Sequence, residues 1–71
     1  MGTPMKISDS TAKELTSVVR RAGQESAAMA SDLACATADN NWTEALRLVA
    51  ELRNVLQIIA YNAPLLQEHA K

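Results

Sequence analysis

WTEALRLVAELRNVLQIIAYNAPLL, residues 42–66, decides the fold. Apolar side chains recur at Trp42, Ala45, Val49, Leu52, Leu56, Ile59, Ala63 and Leu66. The steps alternate between three and four, the spacing of a heptad seam on one helix. Such a seam must be buried against something.

Upstream lies a second seam with the same spacing: Ala12, Leu15, Val19, Ala22, Ser26, Met29, Leu33 and Ala36. Its residues are mostly small. Between the two stretches, Asp39-Asn40-Asn41 reads as a turn, because Asn tolerates the left-handed conformation that ends a helix. If the chain folds back there, residues whose numbers add to 78 meet across the two helices. Ala36 then faces Trp42, Leu33 faces Ala45, Ser26 faces Leu52, Ala22 faces Leu56, Leu15 faces Ala63 and Ala12 faces Leu66. Each of these pairs sets a small residue against a large one, the volume compensation a packed layer needs. Only Met29–Val49 and Val19–Ile59 join two large residues. The expected fold is all-α, an antiparallel two-helix hairpin.

The boundaries follow from capping chemistry. Helix one is expected over about residues 8–38, behind an arm at 1–7. Ser8 is the favoured cap, with Ile7 as a hydrophobic staple and Asp9 in the first turn, and Thr11 with Glu14 competes as a capping box. Met5 is as good a native start as Met1, which would make residues 1–4 an appended remnant. Helix two is expected from about 42 to 62, capped by Asn41, with Glu44 reaching back. Pro64 removes a backbone donor and crowds the carbonyl of Ala60, so the helix stops near Asn62 or kinks, leaving a short C-terminal turn. Gly23 interrupts helix one and costs roughly 1 kcal/mol against Ala. With Ala22, Ser26 and Ala30 around it, the expectation is a close backbone approach rather than a tolerated defect.

The hairpin seam does not use up the apolar surface of helix two. A second stripe runs through Leu48, Val55, Ile58 and Leu65, with Leu46 on the other flank and Tyr61 behind. These six residues are the expected partner or dimer interface, since an uncovered apolar stripe marks a contact surface. Two hairpins pairing into a four-helix bundle would cover it, as would a different helical protein. A chain of 71 residues builds only a modest core, which favours association.

Composition narrows the chemistry. Seven basic and eight acidic residues leave a net charge of −1, so no basic field draws the chain to nucleic acid or an anionic membrane. The one local basic cluster is Lys13, Arg20 and Arg21. It is the candidate nucleic-acid contact, although the chain has no Phe to stack on bases. A single Cys excludes an internal disulfide and suits a reducing, cytoplasmic setting. No apolar run approaches the roughly 18 residues of a membrane span. Cys35 and His69 fall at opposite ends of the hairpin, on the order of 40 Å apart at 1.5 Å per residue. They cannot act as nucleophile and base, and Cys35 reads as a small buried residue. Ligands at metal-binding spacing and a glycine-rich phosphate loop are both missing from the sequence. The expectation is therefore a non-enzymatic protein–protein interaction module (adaptor, co-chaperone or regulator) with no cofactor, metal, membrane or small-molecule substrate. A hairpin-dimer regulator of RNA or DNA is the alternative.

In architecture the expected hairpin dimer resembles the RNA-binding helical hairpins that regulate plasmid copy number. With Ile58-Ile59-Ala60-Tyr61 near its end it is also similar to the small hairpin co-chaperones of type III secretion needles. Both likenesses are of architecture, and they imply a regulatory or chaperoning partner role.

Overall fold

A computed structural model of the chain describes residues 7–70. The expectations for residues 1–6 lie outside the described residues. Two helices, α1 (Asp9–Ala38) and α2 (Trp42–His69), pack against each other as a hairpin measuring 50 × 25 × 15 Å.

Local chemistry sets each end. Ser8 caps α1: its Oγ accepts from the Thr11 amide at 3.1 Å, and Asp9 occupies the first turn, where the helix dipole favours an acid. Of the two competing caps, Ser8 is therefore the one used. At the other end Asn40 takes the left-handed conformation, with φ of 57°. Its amide donates to the carbonyl of Thr37 at 3.1 Å, and the Asn41 amide donates to that of Ala36 at 2.8 Å. This is a Schellman closure, which satisfies carbonyls that α1 would leave unpaired. Asn41 also begins the next helix, its side-chain oxygen accepting from the Glu44 amide at 3.3 Å. One residue thus closes α1 and opens α2, which keeps the loop short and fixes the antiparallel pairing. At the free ends, His69 Nε2 lies 3.1 Å from Asp9 Oδ1. Those two numbers add to 78, so the two helices keep the expected level along their axes.

The α1 seam holds throughout. Ala12, Ala22 and Ala36 are buried, and Leu15, Val19, Ser26, Met29 and Leu33 are half-buried. The α2 seam does not hold in full. Ala45, Leu48 and Val55 are buried, with Leu52, Ile59, Asn62 and Leu66 half-buried along the same line. Val49 and Leu56, expected inside, are 40% and 46% exposed. The two lines share Ala45, Leu52, Ile59 and Leu66 and differ by one residue at every alternate position. Helix two is thus turned on its axis by about half of the 100° between successive residues. Near the turn Ala36, Ala45 and Leu48 form a buried cluster with Leu33 packed on it. Trp42, expected to lie over Ala36, is instead 59% exposed.

Three further expectations are corrected. Of the stop and the kink expected at Pro64, the stop near Asn62 is not made: α2 passes through the proline and continues to His69. The turn beyond the proline half-buries Leu65 and Leu66, which offsets the lost backbone bond. A Cβ built on Gly23 meets nothing within 4 Å, so α2 does not cross α1 closely there. Cys35 is exposed, because it lies one residue off the buried line that contains Ala36.

Candidate functional interface

Helical geometry divides the hairpin surface into two flanks, one on each side of the buried seam. On the first, α1 contributes Thr16, Arg20, Gly23, Ala27, Ala30, Ala34 and Thr37, and α2 contributes Trp42, Leu46, Val49, Arg53, Leu56, Ala60 and Ala63. Both runs keep the three-four spacing, so each is a continuous strip. Large apolar side chains line the α2 side, where Trp42, Leu46, Val49 and Leu56 are all exposed. The α1 side is mostly glycine and alanine. Neither strip contains a carboxylate.

The second flank is mixed. Its α1 strip runs Glu14, Val18, Arg21, Glu25, Ala28, Asp32, Cys35, and its α2 strip runs Glu44, Arg47, Glu51, Asn54, Ile58, Tyr61, Leu65. The half near the turn is charged. Arg47 Nε donates to Glu44 Oε2 at 3.1 Å and Arg47 Nη1 donates to Glu51 Oε1 at 2.6 Å, while Nη2 also pairs with Glu44. Hydrogen bonding to Arg47 holds the Glu44 carboxyl below its ordinary value. Arg47 thus pairs with both Glu44 and Glu51, and Glu44 turns to Arg47 rather than back to its helix start. Exposed pairs of this kind add little stability. The half near the free ends is mixed: Val18, Ile58 and Tyr61 are exposed and Leu65 half-buried, with Glu14 and Arg21 on the α1 side.

The six expected interface residues therefore separate. Leu48 and Val55 are buried at 4% and 7% against α1, so they belong to the hairpin's own core and form no uncovered stripe. The roughly 50° rotation of α2 that brings them in carries Val49 and Leu56 out. Ile58, Tyr61 and Leu65 lie on the second flank, and Leu46 lies on the first. The first flank's other large apolar residues, Trp42, Val49 and Leu56, are ones that spacing alone places in the seam. Two overlapping heptad lines in α2 were the available signal, and spacing alone does not say which one the hairpin uses.

Lys13, Arg20 and Arg21 are all exposed on the outer half of α1. Arg20 and Arg21 are about 100° apart around the helix. Arg20 leans to the first flank and Arg21 to the second, beside Glu14 and Glu25. They do not form one concentrated basic surface. Cys35 and His69 are at opposite ends of the hairpin. Among the described residues, no group of three or more His, Cys, Asp or Glu is placed to hold a metal ion. Among them also, no helix is long and apolar enough to cross a membrane. Comparison with protein-family models, with curated proteins and with solved structures finds no match to this chain.

Proposed function

We propose that this chain is a non-enzymatic protein–protein interaction module, an adaptor, co-chaperone or regulator that works through the apolar surface of α2. One observation carries the reading. Four large apolar side chains, Trp42, Leu46, Val49 and Leu56, lie exposed on one flank of a hairpin whose buried core consists of Ala12, Ala22, Ala36, Ala45, Leu48 and Val55. Alanines add little buried area, so the greater apolar reserve lies outside the core. Exposed apolar patches of this kind are contact surfaces. Either a second hairpin, giving a four-helix bundle, or a helical segment of another protein would cover the flank.

The test compares the wild-type chain with Ala30→Glu and with Leu46→Glu, both at exposed positions of the first flank. Expected is an association, with itself or with a co-purifying protein, that is strong in the wild type and lost in both variants. A well-folded wild-type chain that sediments as a monomer and retains the same proteins as the two variants would refute it.

A further inference from the structure

We propose that the occupant of the first flank is a second copy of this chain, related by a two-fold axis parallel to the helices, with both turns at the same end of a four-helix bundle. This rests on the interaction-module reading and names its partner. In that arrangement α1 of one copy lies over α2 of the other, antiparallel and at the same level as within a single hairpin. Residues whose numbers add to 79 or 80 then meet between copies. Gly23 faces Leu56 of the other copy, Ala27 faces Arg53, Ala30 faces Val49, Ala34 faces Leu46, Thr37 faces Trp42 and Arg20 faces Ala60. Every one of these sets a large side chain against a small one, and the closing pair, Thr16 with Ala63, is small on both sides. The flank is therefore complementary to itself, as an isologous interface has to be.

Other placements fit less well. A two-fold axis across the helices would stack α2 on α2 and α1 on α1, crowding large residues together and leaving glycine and alanine facing each other across a void. Pairing through the second flank would place Glu44, Arg47 and Glu51 in the contact with Glu25 and Asp32, and taking those charges out of water is costly. Lys13, one heptad before Arg20, continues the first-flank strip at the free ends, where it faces Gln67, and over the paired levels the only charges are Arg20 and Arg53. Each faces an alanine, and the two levels are about 10 Å apart at 1.5 Å per residue. Their stems can cover apolar surface while the guanidinium groups reach solvent.

Size is also sufficient. The broad side of the hairpin extends over 50 × 25 Å, which leaves room for a standard stable interface of roughly 800 Å² per partner. The open space over Gly23 acquires a role here: nothing in its own chain comes within 4 Å of a Cβ at that position, while Leu56 of the second copy would rest on it.

The experiment combines sedimentation equilibrium with disulfide trapping, on full-length chains carrying Cys35→Ser. Trp42 is the only tryptophan, so its emission should shift to the blue as concentration drives pairing. Expected is a dimer that Ala30→Glu abolishes and that Ile58→Glu leaves intact. Chains with Ala30→Cys mixed with chains with Val49→Cys should cross-link on oxidation, while neither variant alone does. A monomer at all concentrations overturns the proposal, and the partner comparison of wild type with Ala30→Glu and Leu46→Glu then still decides the interaction-module reading. A dimer broken by Ile58→Glu but not by Ala30→Glu, or one without the mixed cross-link, overturns the face or the axis while leaving that reading standing. Circular dichroism of each variant separates loss of pairing from loss of fold.

Discussion

The rotation of α2 makes an energetic prediction that separates two nearly equivalent seams. Leu48 and Leu56 are the same residue type on the same helix, 4% and 46% exposed. Truncating Leu48 to Ala removes a nearly fully buried side chain, a transfer loss of about 1.5–3 kcal/mol. Leu→Ala in a core adds a cavity term and reaches roughly 2–5 kcal/mol. Among the described residues no side chain is fully buried, so the gap left behind is open to collapse or to water. The expected cost for Leu48→Ala is therefore at the low end, about 2–3 kcal/mol. Leu56→Ala gives up about half as much buried area and should cost about 1 kcal/mol. A domain of this size has a total of roughly 4–10 kcal/mol, so the first variant is a large loss and the second a tolerable one. Both are best measured by urea denaturation followed at 222 nm in the Ala30→Glu chain, so that self-association does not add to either value. Equal losses, or a larger loss for Leu56→Ala, would show that the hairpin buries the Val49–Leu56 line and would refute the rotation.

Gly23→Ala in the same background should stabilise the hairpin by about 0.5–1 kcal/mol, since the new methyl meets nothing and helix propensity improves. A thermal midpoint below that of the parent would show that α2 crosses close to Gly23 after all. Pro64→Ala should also stabilise, by up to about 3 kcal/mol, and should raise helicity, because it restores a donor inside a helix that already runs to His69; unchanged or lower helicity counts against that continuity. Asn40→Val should destabilise by about 1–2 kcal/mol, because a β-branched residue is poorly suited to φ of 57°, and Asn40→Gly should not. For pH, the sign follows from Glu44: its folded carboxyl is depressed by Arg47, so the pair contributes above the ordinary carboxylate range and is lost as pH falls through the depressed value. Arg47→Ala should return the Glu44 titration, followed by NMR, to its ordinary range, with little change in stability.

The start of each helix and the turn between them were legible because their signals are local. Ser8, Asp9, Asn40 and Asn41 act through hydrogen bonds to backbone a few residues away, and no distant contact competes with them. The level at which the helices meet was legible for a related reason: a three-residue turn leaves little freedom to slide, and Asp9 and His69 end up side by side. The rotation of α2 was not legible. The line through Val49 and Leu56 and the line through Leu48 and Val55 each offer one leucine and one valine between the same shared residues. Periodicity scores them alike, and transfer free energy hardly distinguishes them. Pro64 left a stop or a kink open for a different reason. Its local cost is real, but burial of Leu65 and Leu66 beyond it is a tertiary gain that a local rule does not count.

The same ambiguity bears on function. A helix that served only a two-helix hairpin would need one apolar line, and its neighbours would be polar. In α2 the second line is complete from Trp42 to Ala63 apart from Arg53, and the strip beside it on α1 is small from Gly23 to Ala34. An apolar arc that wide is what a helix at the centre of a bundle presents, with neighbours on two sides. The sequence therefore carries two sets of small-against-large pairs, one adding to 78 and one to 79 or 80, that share a single helix. The first set describes contacts within the chain. The second has no counterpart inside it, because its two strips lie side by side on one flank and point the same way. On the proposed pairing those strips meet only when a second hairpin is laid over the first, and stability and association become one property: a change at Ala30, harmless to the lone hairpin, should be felt only where two chains meet.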